Sequence, residues 1–533
     1  MSMVNLILVP ILSGILLYKF PTKIAKILML GVQAFLIVNV FALIAGSSMT
    51  EPIYEFMGGD IPILFIALRG DRMTFILAAM TVILFASAMV YAYFEDYFTN
   101  RYMLLFMVLQ GATSGIFLVD DIFTIFIFFE VSTVIATILI MFKKEVRNIY
   151  DGLFYFLIQI LSMMFYIMGI AYLYRMFGVL SLTELARLIQ SGIPQQDLLL
   201  PFAFLIAGIG LKVGMFPLFS WVTRAYGTPS APIAALAIQS ALIIKASLVV
   251  FLRLNALFYP VLDFSVIFLA VAFLTGVAGA VKSLAQRDIK LLLAYSTISQ
   301  IGLILMGVFV GGDVSYFGSM YHIINHGIAK LLLFFAAGMI MDRYQTSDVS
   351  KIRGVFKHMP VVATASLLAI LGITGAPFFN GAASKYWIMY DSTGTFLEAA
   401  IWVINTGTML VYMKFAFMLF GKSPAPAGKL VGTQAKSAIV LWLGILCVLG
   451  GIFGPQIVDG LFEIQLVKGI GSIFEKGLIY LLMLAGTYAL VRYNPLKDSK
   501  FTKWLQGSLS FPRSVFLLLA FFVVLTAYGM MRY

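Results

Sequence analysis

Glu130, Lys212, Lys245, Lys330, Lys385 and Lys414 lie deep inside long apolar runs, and they are where any chemistry in this sequence must begin. A charged side chain at the centre of a membrane-spanning helix costs about 2.5 to 3.5 kcal/mol on insertion scales, so this many together imply pairing, hydration or use. Glu130 is the only acid at comparable depth, in the run from Ile122 to Phe142, which has no other ionisable group. Burial disfavours the charged form of a carboxylate or an ammonium, and an opposite charge nearby restores it. At ~4 Å and an effective dielectric of ~20 such a pair interacts by about 4 kcal/mol, enough to change which form is occupied near neutral pH. That switching suits movement of protons, or of an ion exchanged for protons. The competing reading of Glu130 is a static ion pair that locks two helices.

The neighbours of these residues sharpen the reading. Lys212 lies in Ile209-Gly-Leu-Lys-Val-Gly-Met-Phe-Pro217, where Gly214 and Pro217 should interrupt a helix just past the lysine. Gly372, Gly375, Pro377 and Gly381 break a second run, and Lys385 follows that break. Two Gly/Pro-interrupted segments in corresponding halves are the sequence sign of an inverted-repeat transporter. Lys245 follows Gln239 and Ser240 at mid-run, with snorkelling to an interface as its bland alternative. His322, His326 and Lys330 are four apart and share one helix face, which reads as a proton relay. A two-histidine metal site competes, but that face supplies no third ligand, so no metal is expected. Ser296, Ser299 and Gln300 would hold water beside the relay or simply join helices. Lys414 lies off the Gly/Pro pattern and stays open between functional and structural readings.

The elements that must position these groups follow from composition. With 62% hydrophobic and 11% charged residues and a mean hydropathy of +1.01, the 533-residue chain is far less charged than a soluble domain. Apolar runs of spanning length fall near 3–18, 25–46, 72–94, 102–119, 122–142, 150–173, 200–221 and 230–252. Others fall near 262–281, 291–310, 316–341, 360–390, 397–420, 437–458, 471–491 and 514–531. An all-α polytopic membrane protein of about sixteen spans results. The stretch from Gly58 to Gly70, with Ile61, Ile63 and Phe65 alternating and Pro62 confining it to an edge, suggests a short strand or hairpin outside the membrane. Cys447, the only cysteine, reads as buried structure and excludes a disulfide framework within the chain. The first apolar run has almost no basic flank and no cleavage site, so it is expected to be retained.

The net charge of +12 need not mean nucleic acid. With the N-terminus outside, 23 of the lysines and arginines in the connections fall on the cytoplasmic side and 8 on the other, the bias expected of topology alone. The expected location is therefore the inner or cytoplasmic cell membrane, with multiple passes and lipid contact but no nucleic acid.

These residues resemble a known family, the antiporter-like subunits of respiratory complex I, of membrane-bound hydrogenases and of Mrp-type sodium/proton antiporters. The resemblance covers roughly residues 70–420. It rests on Phe129-Glu-Val131, Gly210-Leu-Lys-Val-Gly-Met-Phe-Pro-Leu-Phe-Ser-Trp221, Ile244-Lys-Ala246 with Leu252-Arg253, Asp288 through Gly302, His322 through Gly338, and Gly375-Ala-Pro-Phe-Phe-Asn-Gly-Ala-Ala-Ser-Lys385. It implies two inverted five-helix repeats, each with a broken helix, within 14 core spans plus 2 at the C-terminus. The corresponding units would be N-terminal helices 1–101, a first half-channel 102–257, a second 258–420 and C-terminal helices 421–533. By motif, Glu130 and Lys212 would be the interacting pair of the first half-channel and Lys245 the connector. His326 with His322 and Lys330 would form the central relay, and Lys385 would end the second half-channel. The usual Leu-Pro-Asp is Val222-Thr-Arg224 here, and the histidine often found before the eighth-span lysine appears as Ile238 or Gln239.

The leading functional expectation is a proton-translocating subunit of a multisubunit membrane complex, coupled to redox chemistry in partner subunits. No Gly-rich nucleotide loop, thiolate cluster or haem pair is visible, so no cofactor is expected in this chain, and whether it is an enzyme in its own right is left open. Two alternatives stand beside it: an Mrp-type sodium/proton antiporter subunit without redox drive, and a quinone-reacting oxidoreductase subunit.

Overall fold

A computed structural model describes residues 2–57, 66–228, 231–422, 428, 431–464, 470–493 and 499–533. Among the described residues, 13 helices are long and apolar enough to cross a membrane. Three shorter apolar helices, Val4–Leu17, Pro360–Thr374 and Gly477–Arg492, fall on the three remaining expected spans. The chain is thus a multi-pass helical membrane protein. Large apolar side chains such as Ile27, Leu157 and Val266 face outward, as lipid contact requires of a bundle whose core is no more apolar than its surroundings.

Connections that the basic bias assigns to the same side touch one another. On the lysine-rich side Lys436 pairs with Glu95, Arg343 donates to the Gly428 carbonyl, Lys282 donates to the Leu505 carbonyl at 2.8 Å, and Asp288 bridges Asp348. On the other side Arg72 pairs with Glu463, Arg532 with Asp263 at 3.2 Å, and Leu68 and Asp121 bridge Val119 and Ser181. Two strands, Ile53–Met57 and Ile66–Gly70, pair antiparallel on that second side, with Ile53 opposite Gly70. They are the arms around the expected strand; Ile61, Pro62, Ile63 and Phe65 lie outside the described residues.

Both expected breaks form. The seventh span runs as Gln195–Val213 and stops where Gly214 adopts φ +76°, then resumes as Val222–Gly227. The twelfth runs as Pro360–Thr374, stops at Gly375 with φ +88°, and resumes as Asn380–Tyr390. A left-handed residue at a helix end favours glycine, because a Cβ there meets its own backbone. The eighth span holds a third irregularity that the sequence did not announce: a π-turn, Gln239–Ile243, joins Ile233–Ile238 to Ile244–Phe258. There the Ile244 N–H donates to the Gln239 carbonyl, five residues back, so it does not cover the Ser240 carbonyl.

Two lysines assigned to connections are buried. Lys290 and Lys436 are 2% and 1% exposed, because neighbouring loops fold over the helix ends where they sit. Lys290 donates to the Thr228 carbonyl, and Lys436 pairs with Glu95 beneath the Tyr91 ring.

Candidate polar row and its family

Lys212 is the last lysine before the first break, and it turns into the bundle. Its ammonium donates to Thr133 Oγ1 of the fifth span at 2.7 Å and to Gln159 Oε1 of the sixth at 3.3 Å, with the Phe129 ring 5.2 Å away. Glu130 does not bond to it directly: no Glu130 ion pair within 4.0 Å occurs among the described residues and Glu130 Oε1 is buried without a hydrogen-bond partner, yet the two groups still interact electrostatically across the gap. The helix geometry explains this departure from the expected contact. Thr133 faces inward, whereas half-buried Glu130 lies close to the outer stripe of Phe123, Ile127, Val134 and Ile138, all exposed. A small cavity beside Lys212, lined by Ser132, Tyr155, Gln159, Gln239 and Ser247 among others, has room for about one water molecule. It connects Lys212 to the π-turn of the eighth span.

Lys245, fully buried, donates to the Ser240 carbonyl that the π-turn leaves uncovered. Ser240 Oγ is 2.7 Å from Thr297 Oγ1 on the tenth span, and Thr297 donates to the Leu293 carbonyl at 3.1 Å. The same carbonyl accepts from the Lys330 ammonium at 2.7 Å, and Lys330 also donates to Ser296 Oγ. Lys245 and Lys330 are therefore anchored on either side of the Ser240–Thr297 hydroxyl pair, Lys245 to the Ser240 backbone and Lys330 to the carbonyl that Thr297 also meets. Ser296 continues to the Tyr412 hydroxyl at 3.2 Å, with Lys330 5.5 Å from the Tyr412 ring.

His326 is buried, and neither ring nitrogen has a partner. Its ring lies parallel to that of His322, 6.1 Å between centroids, as their spacing on one face requires. His322 is held at both nitrogens, by Gln300 Oε1 at 3.0 Å and Ser384 Oγ at 2.8 Å, and Gln300 donates to Thr408 at 2.7 Å. Ser384 precedes Lys385, whose buried ammonium is unpartnered and whose stem lies against Gly375. Among the described residues no three His, Cys, Asp or Glu side chains gather as metal ligands would.

Lys212, Lys245, Lys330, His322, His326 and Lys385 are thus all buried, while Glu130 stands at the edge. Lys414 is part-buried and caps the end of the ninth span through the Leu284 and Gln286 carbonyls at 2.7 and 2.6 Å. Thr133, Gln159, Thr297, Ser384, Thr408 and Tyr412 were not singled out from the sequence. Each is a polar side chain in an apolar span, which is the one signal that points to them.

A multi-pass bundle with two glycine-broken spans and buried lysines beside them is the architecture of an antiporter-like membrane subunit. The family described as NADH:quinone oxidoreductase/Mrp antiporter, TM, matches residues 119–413, more than half of the sequence, and this chain belongs to it. It is 29% identical over 389 residues to the NADH-quinone oxidoreductase subunit N of Desulforudis audaxviator, covering 68% of this chain and 76% of that one. It is also 29% identical over 441 residues to a Na(+)/H(+) antiporter subunit of Alkalihalophilus pseudofirmus, covering 78% and 87%. The fold is similar to a chain of the Mrp complex from Dietzia sp. DQ12-45-1b, with a TM-score of 0.77 at 20% identity over 95% of this chain and 99% of that one.

Proposed function

We propose that this chain translocates protons for a multisubunit membrane complex, along Glu130, Lys212, Lys245, Lys330, His326, His322 and Lys385, and that redox chemistry in partner subunits drives it. The observation that supports the reading is the burial of Lys212, Lys245, Lys330 and Lys385 with His322 and His326 among hydroxyl and amide side chains, Lys245 and Lys330 being bound to Ser240 and to Ser296 and Leu293 on either side of the Ser240–Thr297 hydroxyl pair. A static bundle gains nothing from several lysines buried without an acid between them, whereas a relay needs groups that can hold and release protons.

In this mechanism a change at Glu130 alters the charge felt by Lys212. The proton of Lys212 passes by the cavity toward the π-turn and Lys245, and on to Lys330. His326 and His322 carry it on to Lys385 at the second break. Residues 102–257 and 258–420 serve as the two half-channels, each with one glycine-terminated broken span. The lysine-rich side faces the cytoplasm, with the N-terminus outside the cell membrane.

Proton uptake by everted membrane vesicles tests this directly. Lys212→Ala and Lys245→Ala should each lower proton uptake at least tenfold in assembled complexes; pumping at parental rates in both would remove the row from the path. A second reading, sodium/proton exchange without redox drive, is favoured by the larger share of the chain aligned with the Na(+)/H(+) antiporter relative from Alkalihalophilus pseudofirmus. Proton flux that follows an imposed sodium gradient, in vesicles given no electron donor, would select it.

A further inference from the structure

The sixth span carries a buried carboxylate that this path does not use. Asp151 is 2% exposed and accepts from Arg224 Nη1 at 2.9 Å; Thr228 Oγ1 lies 3.4 Å and Arg147 Nε 3.7 Å away. Arg147 is 70% exposed, so one edge of this buried group meets the lysine-rich surface. Four and eight residues further on come Tyr155 and Gln159, also buried. Positions i, i+4 and i+8 lie on one helix face, over a rise of about 12 Å. Tyr155 and Gln159 both line the cavity beside Lys212, and Gln159 accepts from the Lys212 ammonium. The three side chains thus form a ladder from the surface to the first lysine of the row.

Resting on the proposed function above, we infer that Asp151 is the uptake carboxylate of the first half-channel, taking protons from water on the lysine-rich side and passing them along Tyr155 toward Lys212. A proton from hydronium bonds to a carboxylate oxygen of Asp151, which leaves water and loosens the pair with Arg224. Transfer onward along the Tyr155 hydroxyl restores the carboxylate, and Arg224 closes on it again. Arg224 is a positioning residue: it sits on the short helix after the first break, so it fixes Asp151 relative to the broken span.

The test uses the assembled complex in everted vesicles, where the lysine-rich side faces the medium. Asp151→Asn should lower proton uptake at least tenfold while the driving reaction and the amount of assembled complex stay near parental. Asp151→Glu should keep most of the flux, and imidazole or formate in the medium should restore flux to the Asn variant by carrying protons past the missing carboxylate. Parental flux in Asp151→Asn overturns the inference, and so does a loss that neither Asp151→Glu nor the small buffers relieve, since that marks a structural role. If the Asn variant fails to assemble, the Asp151→Leu/Arg224→Leu pair removes both charges together, an exchange that buried ion pairs often tolerate. Unchanged flux there is equally fatal. Loss of flux in Lys212→Ala alongside normal flux in Asp151→Asn would reject only this inference and leave the proposed path standing.

Discussion

At the residue scale, depth in an apolar run and burial in the bundle identify different lysines. Lys330 and Lys414 both lie deep in apolar runs, yet Lys330 is fully buried and bonded to Leu293 and Ser296, whereas Lys414 closes a helix end. Hydrogen bonds from charged donors contribute about 1.5 to 3 kcal/mol each. Lys414→Met should therefore lower the thermal stability of the purified complex while leaving proton flux within about twofold of parental, whereas Lys330→Met should lower proton flux at least tenfold; equal effects on flux would contradict the division. The lysines and histidines themselves were legible because an ionisable group in an apolar run has few bland explanations. Their partners were not. Whether Lys212 meets Glu130 or Thr133 depends on how far the fifth span is rotated, and no spacing within one span reports that.

At the element scale, the two breaks could be read in advance because each needs a residue that tolerates a left-handed backbone. A Cβ at Gly214 would lie 2.8 Å from Ile298 Cδ1, the movable end of that side chain. Gly214→Ala should cost about 1 to 3 kcal/mol from the strained backbone alone, with Ile298 yielding to the extra carbon. A lower unfolding temperature together with reduced proton flux is the expected result; an unchanged unfolding temperature would mean that the break relaxes freely. The π-turn gave no such warning. Gln-Ser-Ala-Leu-Ile contains neither glycine nor proline, and its widening is visible only in where the Ile244 N–H goes.

At the scale of the whole molecule, Glu130 raises a different question, because its helix shows Ile127, Val134 and Ile138 to the outside. A carboxylate beside an outward stripe is costly against hydrocarbon. Another membrane subunit covering that face would supply polar contact. A photoreactive side chain at Ile127 or Val134 should capture a protein partner from the intact complex, and capture of lipid alone would speak against a covered face. The multi-pass helical character was legible throughout, since it follows from hydropathy. The folding of loops over Lys290 and Lys436 was not, because it depends on contacts between distant segments.

The wide turn ahead of Lys245 has a consequence for comparing relatives. Geometrically it is one surplus residue absorbed into an otherwise regular helix, so a relative with an unbroken helix there would be one residue out of step on one side or the other. Whether Ile238 or Gln239 is the counterpart of the histidine often found before this lysine then depends on where the gap is placed, and in space the two candidates lie about 100° apart around the axis.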